Sequence, residues 1–254
     1  MSKMKTLFEK KYMKILTITV CIVLVLALAL VLLFPVIVKE SYIRKFGQEN
    51  YHRFSHLQVG DYVTFGAYEQ DRDNDNGAEA VEWLVLAVER DKALLISRYV
   101  LDCVPYSTFE GDTTWEKSYI RGWLNGKFLK TAFSEQEQMM IPGTKVEPDR
   151  GQTYGFDPGP ATYDQVSLLS YEEVNRYFPD NESRRCQATS YAKLQGIIAS
   201  VEDDTCWWWL RSAGNTLFYA SYVLLNGYAY AGGCKVVSDF VGVRPAIWVE
   251  IPIA

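Results

Sequence analysis

The densest group of chemically capable side chains lies in the acidic segment Asp71 to Gly77, DRDNDNG. With Asp71 as position one, Asp73 and Asp75 stand at positions three and five and Glu82 at position twelve, which is the acid spacing of an EF-hand calcium loop. Glycine stands at position seven rather than six, however, and the flanking segments are patterned as strands rather than helices. Two interpretations stay open: a calcium site at Asp71, Asp73 and Asp75, or a solvated acidic turn between two strands.

Other catalytic chemistry has few candidates in residues 57–254. This part of the chain contains no histidine, so a Ser-His or Cys-His pair cannot form within it. The adjacent acids Glu172-Glu173 and Asp203-Asp204 remain as possible paired carboxylates, although acids at a helix start usually interact with the helix dipole. We therefore predict no catalytic residue and no enzymatic activity, and no cofactor apart from calcium at the acidic segment.

Aromatic side chains are plentiful, at 14% of the residues, and all seven tryptophans follow position 80. In a strand, the side chain of Trp208 points away from those of Trp207 and Trp209. Either all these rings belong to the core, or some form an exposed face that contacts a protein or a glycan. The alternating tyrosines are the better surface candidates, and we predict a ligand-binding surface at these residues: Tyr219, Tyr222, Asn226, Tyr228 and Tyr230.

The elements that position these residues fall into three blocks. Alternating apolar residues predict strands at 61–66, 81–88 and 93–97, the last two joined as a hairpin. Helices are predicted to begin with capping boxes at Thr113, Ser134 and Ser170, and Asn125-Gly126 is predicted to end the first one. A Pro- and Gly-rich irregular loop is expected between Ile141 and Asp164. Strands return at 206–211, 220–225, 229–234 and 243–251, with a turn at Asn226-Gly227, which indicates an α+β domain.

A membrane anchor is predicted near the N-terminus. Ile15 to Val38 form an uncharged, almost wholly apolar run of 24 residues, which as a helix spans about 36 Å, enough to cross a bilayer with some tilt. A cleaved signal peptide is the alternative, but it would have a shorter apolar region and a small-residue cleavage site. We therefore expect an uncleaved transmembrane helix at 15–38, after a cytoplasmic N-terminus at 1–14.

Charge orients this arrangement. Five lysines precede the apolar run and four basic residues follow it, and the compact N-terminal group favours a cytoplasmic N-terminus. A juxtamembrane stalk at 39–56 would then lead to an extracytoplasmic domain at 57–254. Residues 57–254 contain 17 of the 26 basic residues and 28 of the 31 acidic residues, which gives a net charge near −11. Such a charge repels phosphate backbones and argues against nucleic acid as a partner.

Four cysteines lie in the predicted domain: Cys103, Cys186, Cys206 and Cys234. Their even number permits two disulfides in an exported domain, with three possible pairings. Four buried free thiols are the alternative, because cysteine is among the most buried residue types. Both interpretations stay open.

Five phrases occur together in one order: VGDYVTFG from Val59, EWLVL from Glu82, WLN from Trp123, CWWWLRSAG from Cys206 and VGVRPAIWV from Val241. This set resembles a bacterial domain family of unknown function that is often attached to membrane anchors, over about residues 57–254. The ending is similar in style to C-type-lectin-like folds, which include the formylglycine-generating-enzyme group. That likeness implies a mixed domain of short helices and antiparallel strands.

The lectin-like resemblance also implies roles for individual residues. Trp207, Trp209, Arg211 and Arg244 would be structural, and Asn215 to Asp239 would present the variable ligand surface. No activity is carried over, because the copper-binding cysteine pair of formylglycine-generating enzymes cannot be matched to Cys206 and Cys234. We expect a cell-surface binding module with an unknown extracellular ligand, protein or glycan; a structural or adaptor ectodomain, or a metal- or carboxylate-dependent enzyme, are the alternatives.

Overall fold

The computed structural model describes residues 2–73, 75–149 and 157–253, with side chains from residue 11 onward. The chain divides into two units. One comprises Met1–Ser55 with Pro252–Ala254, and the other comprises His56–Ile251. The domain bounds expected at 57–254 stay a prediction; this unit overlaps them from residue 57 to Ile251.

The first unit contains a long helix, α1 (Ser2–Phe46), and a short helix, α2 (Gln48–Phe54). From Lys11 to Phe46, α1 is long and apolar enough to cross a membrane, and none of its most apolar stretch is buried within the protein. Its two threonines, Thr17 and Thr19, each donate a hydroxyl hydrogen bond of 2.9 Å to a carbonyl oxygen one turn earlier. Their polar groups are thereby satisfied inside the helix, as a hydrocarbon environment requires. The residues predicted as a stalk are largely helical.

The described residues of the second unit form two five-stranded sheets and a two-stranded sheet, of order β1-β2-β3-β12-β7, β10-β9-β8-β11-β4 and β5-β6. Their strands run antiparallel except for the β8–β11 pair. The strands are β1 (Tyr62–Tyr68), β2 (Glu79–Val88), β3 (Lys92–Ser97), β4 (Asp102–Cys103), β5 (Thr144–Val146), β6 (Thr162–Asp164), β7 (Val166–Ser167), β8 (Trp208–Ala213), β9 (Tyr219–Val223), β10 (Ala229–Lys235), β11 (Gly242–Val243) and β12 (Ala246–Glu250).

Six further helices lie in the parts of the second unit that the structure describes, and the α+β class predicted from the sequence is confirmed. They are α3 (Tyr119–Trp123), α4 (Leu129–Ala132), α5 (Glu135–Met140), α6 (Tyr171–Tyr177), α7 (Asn181–Arg184) and α8 (Ser190–Leu194). Both five-stranded sheets and α6 contribute to one core, for example through Ile96 of β3, Trp208 of β8 and Val174 of α6.

The predicted last strand at 243–251 is interrupted at Arg244-Pro245. β11 pairs with β4 and β8 in the second sheet, whereas β12 pairs with β3 and β7 in the first. The chain therefore passes from one sheet to the other at Arg244 and Pro245. Proline at this point interrupts the ladder because it has no N–H to donate.

Two of the three predicted capping boxes are confirmed. Ser134 begins α5 and Ser170 begins α6, and in each the third helical residue, Glu137 or Glu173, bonds back to the cap. The box at Thr113 is wrong, because Ser118 begins α3 by accepting a 3.3 Å hydrogen bond from Arg121 N–H.

The predicted helix end at Asn125-Gly126 is also wrong. A π-helical turn, Leu124–Phe128, connects α3 to α4. The Asn125 side chain donates to Val166 O at 2.8 Å and accepts from Gln165 N–H at 2.9 Å. Because these contacts with the β6–β7 region hold Asn125 in place, the chain continues helically through a residue pair that usually stops a helix.

The loop expected at Ile141 to Asp164 contains regular structure at both ends. β5 and β6 pair there from Thr144↔Asp164 to Val146↔Thr162. Residues 150–156 of this loop lie outside the described parts of the chain.

Candidate functional site

The predicted tyrosine surface lies on the hairpin formed by β9 and β10. Tyr222 and Tyr230 stand opposite each other in the register. Tyr222 is buried and Tyr219 is half-buried, whereas Tyr228 and Tyr230 are 49% and 42% exposed. The structure thus brings the predicted tyrosines into one hairpin but exposes two of them far more than the others.

The hairpin turn is built by Asn226 and Gly227, as predicted. The exposed Asn226 accepts a 3.1 Å hydrogen bond from Tyr228 N–H through Oδ1, which closes the turn locally. Gly227 has a φ of +76°, in the left-handed region that favours glycine. A Cβ atom at Gly227 would lie 1.7 Å from the carbonyl oxygen of Asn181, so the turn is seated directly on α7.

Four aromatic rings continue from this hairpin across the second sheet and form what we call the aromatic strip: Tyr230, Tyr222, Trp207 and Phe240. Successive ring centroids are separated by 5.9, 5.3 and 5.8 Å along this order. Tyr230 is exposed, and Trp207 and Phe240 are partly exposed. The strip is therefore a continuous row of ring contacts that reaches solvent at Tyr230 and partly at Trp207 and Phe240, with the buried Tyr222 between them.

The predicted alternation of the three tryptophans explains how Trp207 reaches the strip. Trp207 and Trp209 both contact Tyr222, at 5.3 and 6.4 Å, while Trp208 belongs to the core between the sheets. Trp209 is fully buried and donates from Nε1 to Val104 O at 3.2 Å. Only the outermost of the three tryptophans thus remains available to a ligand. Phe240 could not be selected from the sequence, because it reaches the strip through a separate loop.

The acidic segment forms a tight turn in its described part. Asp71 Oδ1 accepts from Asp73 N–H at 2.6 Å, and Asp73 Oδ1 accepts from Asp75 N–H at 3.1 Å. Glu82, the twelfth position of the predicted calcium loop, instead forms a 3.0 Å ion pair with Arg98. Asn74 lies outside the described residues.

Asp71 belongs to a different acidic group from the predicted one. The carboxylate oxygens of Glu69, Asp71 and Glu79 lie within 4.8 Å of one another. Burial, together with the neighbouring Glu79 and Asp71, raises the pKa of the Glu69 carboxyl above its ordinary value. Glu69 and Glu79 flank the predicted motif, and only the β1–β2 pairing brings them together. Calcium at Asp71, Asp73 and Asp75 stays a prediction.

Three of the four adjacent carboxylates considered for acid–base chemistry pair with cations: Glu173, Asp203 and Asp204. Arg211 forms an ion pair with Glu173, which also caps α6. Arg185 pairs with Asp203, and Lys193 Nζ lies 2.9 Å from Asp204 Oδ1. These acids therefore stabilise the fold locally.

All five cysteines are free in the structure. Burial raises the pKa of the Cys103 thiol to about 12, and it raises the pKa values of Cys186 and Cys206 as well. The thiolate is the reactive form of cysteine, so these three side chains are poor nucleophiles in the folded protein.

A known family model matches residues 90–251 of the chain, and its description is "Domain of unknown function (DUF6273)". The chain belongs to this family. The match includes the last three of the five phrases quoted above, whereas the phrases that begin at Val59 and Glu82 precede it. No curated protein and no solved structure matches the chain.

Proposed function

We propose that this DUF6273 protein is a single-pass, membrane-anchored binding module without catalytic activity, whose domain lies outside the cell membrane. The apolar helix α1 supports the anchor, and the five lysines before the apolar run support a cytoplasmic N-terminus. The absence of histidine from residues 57–254 supports recognition over catalysis.

The aromatic strip carries this proposal, and we assign the recognition surface to it, to the exposed Asn226 and Tyr228, and to the half-buried Tyr219. Tyrosine and tryptophan dominate the energetics of protein interfaces because each buries a large apolar area with little loss of conformational freedom. Tyr230 is the most exposed residue of the strip, at 42% exposure, and its ring contacts the buried Tyr222 ring edge-to-face. It is therefore the expected anchor residue.

The ring orientations favour a protein over a glycan as the ligand. Tyr222 and Tyr230 meet at 89°, and Trp207 meets Tyr222 and Phe240 at 62° and 60°. A sugar ring stacks on a flat aromatic platform, whereas these successive edge-to-face rings make an uneven surface that protein side chains can fill.

The proposal also concerns the fold group and the sequence signature of the family. We propose that the domain belongs to the C-type-lectin-like folds and that the segments CWWWLRS and GVRPAIWV are the family's signature. The position of the last strands supports the assignment, because Arg244-Pro245 connects the sheet of the Trp-rich strand to the sheet of β1. In the lectin-like arrangement an Arg-Pro strand likewise closes the domain.

Photo-crosslinking tests the surface directly. The full chain, expressed in its native membrane, carries benzoylphenylalanine in place of Tyr230 or, as a control, in place of Tyr119. Tyr119 is 44% exposed and lies on α3 rather than on the strip, so the two probes have nearly equal access to solvent. We expect a defined protein adduct at position 230 that is absent at position 119.

The crosslinked partner is then purified, and its affinity for the full chain in detergent is measured. A Tyr230→Ala change should weaken binding by roughly 30-fold, as expected for an interface hot spot, while Tyr119→Ala should leave it unchanged. Equal adducts at both positions, or binding that is insensitive to Tyr230→Ala, would refute the assignment. Binding to a glycan array that is lost on Tyr230→Ala would instead indicate a carbohydrate ligand.

A further inference from the structure

A second recess in the domain, separate from the aromatic strip, is a polar cleft of about 320 Å³. Its wall includes three arginines, Arg98, Arg185 and Arg244, and two acids, Glu182 and Asp203. None of its lining residues belongs to the strip, so binding in the cleft does not depend on the proposed function of the strip.

Two of the three arginines have carboxylate partners. Arg98 Nη1 lies 3.0 Å from Glu82 Oε2. Arg185 pairs with Glu182 at 3.1 Å and also with Asp203. Their charges are compensated by the protein itself.

Arg244 differs from both. It is 3% exposed, and its Nε donates to Ser97 O at 2.9 Å. Within the described parts of the chain, Nη1 is buried without a hydrogen-bond partner, and Arg244 has no ion pair. The guanidinium carbon lies 5.0 and 5.4 Å from the ring centroids of Trp208 and Phe178, which fix its plane.

A buried charge without a counter-charge is costly, so native proteins almost always pair it. Arg211, also buried, pairs with Glu173. The buried Arg184 has no ion pair among the described residues, but it donates to two oxygens, Asn181 Oδ1 and Phe178 O, whereas Arg244 donates to Ser97 O. The nearby thiols of Cys186 and Cys206 supply no negative charge, because burial raises their pKa values. Arg244 therefore places one uncompensated positive charge at the wall of an open cleft.

We propose that this cleft binds a small ligand through one carboxylate group, with Arg244 as the counter-charge. The planar guanidinium fork matches a carboxylate in two parallel hydrogen bonds. The two wall acids, and a net charge near −11 over residues 57–254, disfavour ligands that carry several negative charges. The ligand is thus a monoanion such as a carboxylic acid, a uronic acid or a peptide C-terminus.

The test compares acids with their neutral counterparts on the full chain in detergent micelles. The pairs are acetate and acetamide, glucuronate and glucose, and N-acetyl-trialanine as acid and amide, with inorganic phosphate as a multiply charged probe. Affinities are measured by calorimetry on wild type, R244M and K145Q. Methionine keeps the apolar stem against Trp208 and Phe178 and removes the unpaired charge, whereas K145Q removes one positive charge from an exposed lysine that does not line the cleft.

We expect at least one acid to bind roughly tenfold or more tightly than its neutral counterpart, to lose this preference in R244M and to keep it in K145Q. The pair that responds identifies the source of the carboxylate. If every acid behaves like its neutral counterpart, if R244M binds as well as wild type, or if phosphate binds more tightly than every acid, the proposal is wrong. Should R244M fail to fold, R244K keeps the charge without the fork and should weaken the same acid; unchanged affinity in R244K would overturn the proposal.

Discussion

Replacing Gly227 should destabilise the protein, because this glycine allows the β9–β10 turn to pack directly against α7. Alanine at this position would lower the stability for two separate reasons. Its φ of +76° costs an L-residue about 1–2 kcal/mol. The added Cβ would lie 1.7 Å from Asn181 O, and relieving that contact requires a backbone shift, for which overpacking costs of about 1–3 kcal/mol are typical. Gly227→Ala should therefore lower the free energy of unfolding by roughly 2–5 kcal/mol.

Two further glycines separate these penalties. Gly60 has a φ of +95° but no atom within 4 Å of an added Cβ, so Gly60→Ala should lose only about 1–2 kcal/mol. Gly126 has open space in the π-helical turn and no positive φ, so Gly126→Ala should be neutral or stabilising by up to about 1 kcal/mol.

The assay is thermal unfolding of the full chain in detergent, followed by tryptophan fluorescence, since all seven tryptophans lie in the second unit. For a domain of this size each kcal/mol shifts Tm by about 2–4 °C, so Gly227→Ala should lower Tm by roughly 5 °C or more. If Gly60→Ala and Gly227→Ala shift Tm equally, the turn does not pack against Asn181. The positions assigned to Asn226 and Tyr228 in the proposed surface would then also be wrong.

Three more predictions concern charge, thiols and topology. Burial raises the pKa of Glu69, so its ionised form destabilises the folded state as the pH rises through that pKa. Glu69→Gln, measured in EDTA, should therefore raise Tm near neutral pH and leave Tm unchanged below the ordinary pKa of 4.5. A lower Tm near neutral pH would contradict this prediction. Maleimide should not label three cysteines in the folded protein: Cys103, Cys186 and Cys206. All three should react after denaturation without reductant, and fewer reactive thiols than expected in the denatured protein would reveal disulfides. An impermeant maleimide should label Val201→Cys, a fully exposed position, on intact cells but not Ser2→Cys; the reverse pattern inverts the proposed orientation.

Local features of the fold were accessible from the sequence because each depends on neighbouring residues. The β2–β3 and β9–β10 hairpins and the capping boxes at Ser134 and Ser170 are confirmed. The apolar helix was equally readable, since its length and composition suffice. In contrast, the pair Asn125-Gly126 carries a local stop signal that distant contacts with Val166 override.

The site shows the same division. Periodicity in the strand predicted that Trp207 and Trp209 share a face and that the tyrosines gather on one hairpin. The sequence could not place Phe240 beside Trp207 or pair Glu82 with Arg98, because each requires segments far apart in the chain to meet. Nor could it show that Arg244 is buried with no counter-charge among the described residues. The residues alone thus determined the long apolar helix, the α+β class and the aromatic content. Tertiary packing decided which rings reach solvent and which of the described buried arginines meet a carboxylate, since both depend on what the rest of the chain brings to each position.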